Sequence, residues 1–191
     1  MPYIQNAAGL IIETLLGLYL IAVILRFLFQ LFRVDFHNPI SQAIVRVTNS
    51  PLRLLRRFIP GLFGIDMASV VLILIVGFVK TFLLLTASGS SLPIPSIVLL
   101  VVAEVINVVC WILLISIIGS AIVSWVAPYS RHPAIVMLRD LSDPVMAPFR
   151  RIMPNLGGLD ISPIFAILAI QLVQNLAVTP LRHQAMALVG G

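Results

Sequence analysis

Four stretches of this chain are too long and too apolar to be accommodated outside a membrane. They run from about 9 to 32, 66 to 87, 97 to 127 and 160 to 179. A helix rises about 1.5 Å per residue, so roughly 20 residues cross a hydrocarbon core about 30 Å thick. The third stretch, between Pro95 and Pro128, would be about 48 Å long if wholly helical, so it is expected to tilt or to project. Composition closes the alternatives. Hydrophobic residues make up 60% of the chain and charged residues 10%, against about 45–50% and 25% in soluble domains. A chain of 191 residues has too little interior to hide that surplus. A soluble enzyme, a disordered chain and a secreted disulfide scaffold are therefore excluded. The single cysteine, Cys110, makes neither an intrachain disulfide nor a cysteine metal site. The first 25 residues hold no Lys or Arg and carry Glu13. The N-terminal stretch is thus expected to be a retained membrane helix, not a secretory signal, and no lipidation motif accompanies it.

The chain repeats itself. Pro39, Arg56, Arg57, Pro60, Gly64 and Asp66 recur as Pro133, Arg150, Arg151, Pro154, Gly158 and Asp160, each 94 positions later. Ser50–Pro51 and Asp143–Pro144 match with a one-residue indel. Each unit reads as apolar helix, basic proline-punctuated segment, apolar helix. The expected fold is an all-α membrane protein. Its four transmembrane helices form two same-orientation two-helix repeats, residues 1–87 and 97–191, joined by the uncharged linker 88–96. Two spans per unit return the chain to its starting side, so a pseudo-twofold axis along the membrane normal is expected.

Charge placement predicts orientation. Nine of the twelve basic residues lie in the two connecting segments: Arg33, Arg46, Arg53, Arg56 and Arg57, then Arg131, Arg139, Arg150 and Arg151. The positive-inside bias puts both segments in the cytoplasm and both termini outside, with Arg182 a mild exception. The net charge of +5 is then a matter of topology, and direct nucleic-acid binding is not expected, since no aromatic platform interleaves the arginines.

Ser50–Pro51 and Asp143–Pro144 look like helix starts, a polar cap followed by proline. Beyond them Leu52, Leu55 and Ile59 share a face apart from Arg53, Arg56 and Arg57. Val145, Phe149 and Ile152 likewise oppose Arg150 and Arg151. Such helices suit an interface, apolar face down and arginines among headgroups, with Pro60 and Pro154 ending them. Asp66 and Asp160 are placed to cap the next spans. Arg53, Arg56, Arg57, Arg150 and Arg151 are thus candidates to hold anionic phospholipid or an acidic protein partner.

Ionisable residues inside a span mark functional sites by default. Glu13 and Glu104 lie near the outer ends of spans one and three. Lys80 stands 14 residues beyond Asp66, about 21 Å up its helix. At the repeat offset Glu13 maps to Asn107 and Lys80 to Gln174, with Gln171 and Asn175 nearby. A pseudo-symmetric polar cluster of Glu13, Lys80, Glu104, Asn107 and Gln174 is expected, either as structural pairs or as part of an ion path. Arg26 lies nearer the basic side and is expected to snorkel. Ser116, Ser120 and Ser124, with Gly119 beside them, give a small-residue stripe for close packing against a neighbouring helix or a second copy. His37, His132 and His183 all lie outside the middle of the spans, which disfavours haem ligation in the bundle. No metal site, cofactor motif or nucleophile–base set is apparent. Asp140 and Asp143 form only a lone acidic pair in a basic segment.

The doubled pattern, Asn49-Ser-Pro-Leu-Arg53 with Arg56-Arg57, Pro60 and Gly64-Ile-Asp66, then Ser142-Asp-Pro144 with Pro148-Phe-Arg-Arg151, Pro154 and Gly158-Leu-Asp160, resembles the YggT/YlmG family of small bacterial and plastid membrane proteins. The likeness runs from about residue 10 to 180. It implies a multi-pass protein of the bacterial inner membrane with two such repeats. It also implies links to cell-division gene clusters, to nucleoid and membrane organisation and cytochrome maturation in chloroplasts, and to osmotic stress. The family has no agreed biochemical activity, so the resemblance names no catalytic residue. The leading expectation is a non-enzymatic organising or assembly factor, with self-association and a cytoplasmic or membrane protein partner as expected interactions. The rival is a small ion or osmolyte channel or transporter component.

Overall fold

The computed structural model describes residues 2–62, 64–152 and 160–190. Its element order is α1 (Pro2–Leu31), α2 (Pro39–Leu55), α3 (Met67–Ala87), α4 (Ile94–Val126), α5 (Pro133–Ile152), α6 (Ser162–Val173), a π-helical turn (Gln174–Val178) and α7 (Thr179–Gly190). Four helical stretches are long and apolar enough to cross a membrane: Ala7–Leu31, Met67–Ala87, Ile94–Val126 and Ser162–Leu188. The described residues are all-helical apart from turns and one isolated bridge between Leu62 and Ile65. In that bridge Gly64 sits at a φ of +79°, a left-handed value that glycine adopts without strain.

Each repeat packs the same way. Span α1 lies on α3 and span α4 on the α6–α7 helix, while α3 against α4 joins the halves. The first core is built on Leu20, Val23, Ile24, Leu28 and Phe29 with Leu72, Ile73 and Val76; the second on Cys110, Leu114, Ile117, Ala166 and Ile170. The short helices α2 and α5 cap these cores from one end, burying Leu52 and Leu141 in the first and Met146 in the second.

Two kinds of helix boundary differ from expectation. Pro51, Pro144 and Pro148 lie inside α2 and α5, not at their starts. The true starts are Pro39 and Pro133. The Asn38 side chain accepts from the Ile40 amide at 2.9 Å, and the His132 ring accepts from the Ala134 amide at 3.3 Å. Those caps satisfy the first amides, and Pro39 and Pro133 fit the first turn, where a proline lacks nothing the helix needs. The internal Pro144 and Pro148 are exposed, so the carbonyls they leave unpaired can be solvated. Second, the fourth span does not stop at Pro180 but runs on to Gly190. The π-helical turn over Gln174–Val178 widens the helix just before the proline, which relieves the clash between its ring and the preceding turn. Pro154, expected to end the second basic helix, lies outside the described residues.

Candidate functional site

The intramembrane polar residues meet as the repeat offset suggests. Lys80 on α3 is only 4% exposed. Its ammonium donates to Glu13 on α1 at 2.9 Å and also to Glu104 on α4. In the second repeat Gln174 donates to Asn107 at 3.2 Å, and both pairs are separated by 67 residues in the chain. The pairs hold equivalent places, one ionic and one neutral. Glu104 breaks the equivalence. Its counterpart 94 positions earlier is Leu10, so Lys80 gains a second carboxylate that comes from the other half of the molecule. The triad therefore ties three helices across the repeat boundary and carries one excess negative charge when both carboxylates are ionised. Gln171 and Asn175, read as adding to this cluster, are exposed instead.

At the opposite end each repeat closes on an arginine–aspartate latch. Arg56 donates through Nε and Nη2 to one oxygen of Asp66, and Arg150 donates to Asp160 at 2.9 Å, ten residues apart in both cases. Each latch pins the end of a basic helix to the start of the following span. Asp66 stands at the cap position of α3 but makes no side-chain bond to that helix's backbone; the Ser69 hydroxyl donates to it. Asp160 accepts from the Ser162 amide at 2.9 Å. Burial works against ionising Asp66, yet the Arg56 guanidinium and the Ser69 hydroxyl outweigh it and hold the carboxyl below its ordinary range. At Asp160 burial is likewise outweighed, by Ser162 and Arg150. At Arg150 burial is outweighed by Asp143 and Asp160, which raise its pKa.

A third repeated contact was not read from the sequence. Arg26 does not snorkel. It is buried, and its Nη1 donates to the Val45 carbonyl at 3.1 Å and lies 3.4 Å from the Thr48 hydroxyl. In the second repeat Ser142 donates to Ser120 at 3.0 Å, and both pairs are 22 residues apart. Arg26 and Ser120, like Thr48 and Ser142, stand 94 positions apart, so the same offset that paired Lys80 with Gln174 carried this signal too. Of the serine stripe, Ser116 and Ser120 are buried and Ser124 is exposed. The stripe admits α5, since a Cβ added at Gly119 would lie 3.1 Å from Leu138.

The remaining arginines of α2 and its end, Arg46, Arg53 and Arg57, are exposed, as is Arg151. Large apolar side chains are exposed beside them: Val47, Leu54, Phe58 and Ile152. Among the described residues no group of three or more His, Cys, Asp or Glu could hold a metal.

The sequence model of the CCB3/YggT family matches this chain twice, over residues 5–87 and 99–181. The chain belongs to the YggT family. The two matches cover its two repeats. A Pseudomonas aeruginosa relative, uncharacterised protein PA0392, is 42% identical over 180 residues, spanning 93% of this chain and 91% of its own length. Uncharacterised protein YggT of Escherichia coli K12 is 35% identical over 171 residues, 88% of each chain. An uncharacterised Vibrio alginolyticus protein encoded in the proC 3′ region is 36% identical over 173 residues, 87% of this chain and 91% of its own. These YggT relatives carry no enzyme name. No solved structure matches the chain.

Proposed function

We propose that this YggT-family chain is a non-enzymatic membrane platform. In this reading the basic helices face the cytoplasm, hold anionic phospholipid, and position an acidic protein partner in envelope or division assembly. One observation carries it. Two amphipathic helices, α2 and α5, are latched in equivalent places by Arg56–Asp66 and Arg150–Asp160, and exposed arginines and large apolar side chains stand together along them. That mixture suits a surface where headgroups and acyl chains meet. The latches separate two kinds of arginine. Arg56 and Arg150 are each paired with an aspartate of the fold, whereas Arg46, Arg53, Arg57 and Arg151 are exposed and make no ion pair among the described residues.

The competing reading, passage of an ion or osmolyte, draws on the Glu13–Lys80–Glu104 triad. The packing counts against a path through one chain. Buried Leu20, Val23 and Ile24 stand between Glu13 and Arg26 on α1, and buried Leu72, Ile73 and Val76 stand between Ser69 and Lys80 on α3. The triad serves better as a cross-brace between the repeats.

The test is charge reversal of Arg46, Arg53 and Arg57 to Glu in the full chain in cells. The expected result is a protein that still inserts but loses its normal distribution and its acidic protein partner. Unchanged distribution and unchanged partner recovery overturn the platform reading. Solute flux in liposomes above empty vesicles moves the assignment to the channel.

A further inference from the structure

Each repeat forms an open cavity at the basic end of its spans, and the two have diverged in charge. The first, about 720 Å³, is lined by Arg26, Gln30, Arg56 and Asp66. The second, about 670 Å³, is lined by Ser120, Ser124, Arg150 and Asp160, the residues 94 positions on, together with Arg139 and Asp143. In the second cavity Arg150 bridges Asp143 and Asp160, each at 2.9 Å, so two guanidinium groups face two carboxylates and the charges cancel. The first has two guanidinium groups and one carboxylate, an excess of one positive charge.

Donors are left over there as well as charge. Arg56 spends Nε and Nη2 on Asp66 and keeps Nη1. Arg26 spends Nη1 on Val45 and Thr48; among the described residues its Nε and Nη2 have no acceptor. Arg26 is 6% exposed, and the cavity's one carboxylate, Asp66, is bonded to Arg56, so two cations share one counter-charge, which is costly in a buried place. A planar guanidinium fork matches the oxygens of a phosphate, and two such forks in one cavity make a strong phosphate seat. Apolar Ile59 and Ile65 complete the wall.

We propose that the first-repeat cavity binds a phosphate group through Arg26 and Arg56, while its second-repeat counterpart does not. The inference deepens the platform reading by giving it a defined ligand seat. It stands or falls separately, because that reading is tested on exposed arginines of the helix surface and this one on a buried arginine.

The experiment uses the full chain in detergent, with native mass spectrometry for bound lipid and thermal unfolding for free phosphate. Phosphatidylglycerol and phosphatidylcholine are compared as lipids, and inorganic phosphate is titrated in parallel. The variants are Arg26→Ser, which installs the residue found at position 120, and Arg53→Ser, an equal charge change on the surface. The wild-type chain is expected to retain one phosphatidylglycerol in preference to phosphatidylcholine. Arg26→Ser is expected to weaken that retention about tenfold, the scale of one lost charge-assisted contact. Arg53→Ser should change it less than about twofold. Retention of lipid without stabilisation by inorganic phosphate identifies a phospholipid headgroup as the ligand; stabilisation by both identifies a general phosphate seat. Lack of any preference for the anionic lipid in the wild-type chain, with no stabilisation by phosphate, overturns the proposal even if Arg26→Ser fails to fold. Equal loss in the two variants overturns it too.

Discussion

Replacing Lys80 by methionine keeps the unbranched apolar stem but removes the ammonium that joins Glu13 to Glu104. Lys80 is buried, Glu104 is 24% exposed at its side chain and Glu13 is 58% exposed. Glu13 can therefore turn outward, and Glu104 bears most of the loss. Stranding a buried charge by removing its partner costs about 3–5 kcal/mol. Glu104 keeps part of its side chain open, so Lys80→Met is expected to lose about 3 kcal/mol, the lower end of that range. The repeat supplies its own control. Gln174→Met removes a neutral hydrogen bond from the equivalent place, worth about 1 kcal/mol. Glu104→Gln added to Lys80→Met should recover most of the loss. The assay is reversible unfolding in mixed micelles. Equal losses for the two single variants, or no recovery in the Lys80→Met, Glu104→Gln double variant, would refute the reasoning.

Three further outcomes follow from particular contacts. A Cβ at Gly77 would lie 2.8 Å from the Val101 side chain, where α3 meets α4, whereas one at Gly17 meets nothing within 4 Å. Gly77→Ala should cost about 1–3 kcal/mol by overpacking against a stiff β-branched neighbour, and Gly17→Ala should be neutral or slightly stabilising, both read by thermal unfolding. Arg33 ends α1 with a φ of 57° and the Val34 amide bonded back to Phe29. Arg33→Gly should stabilise by about 1 kcal/mol by relieving the left-handed strain, which a denaturation midpoint would show. The folded pKa values of Asp66 and Asp160 lie below ordinary, so the native state binds fewer protons than the unfolded one. Their contribution is present in full above about pH 4 and is lost as the pH falls through their folded values. Unfolding midpoints between about pH 5 and pH 3 should therefore drop less in an Asp66→Asn, Asp160→Asn double variant than in the wild type.

The spans were legible because lipid selects for length and hydropathy, both of which show in sequence. The Glu13–Lys80 and Asn107–Gln174 pairs were legible because an internal repeat supplies its own comparison. The helix starts at Pro39 and Pro133 were obscured by the later Ser50–Pro51 and Asp143–Pro144, since a cap and an internal proline on an exposed face use the same residue types. Pro180 read as a stop because a π-helical turn leaves no signature in composition. The role of Arg56 was hidden for another reason. A free interfacial arginine and one latched to an aspartate ten residues on look alike until the chain turns back at Gly64. The charge difference between the two cavities depends on where Arg26 points, which a mid-helix arginine does not disclose.

The platform claim is tested most directly by photo-crosslinking in living cells from probes at Phe58 and Ile152, the exposed apolar side chains beside Arg57 and Arg151. Adducts to anionic lipid and to one recurrent acidic protein, both lost when Arg53 and Arg57 are changed to Glu, are the predicted result. Adducts that stay the same after that charge reversal would contradict it.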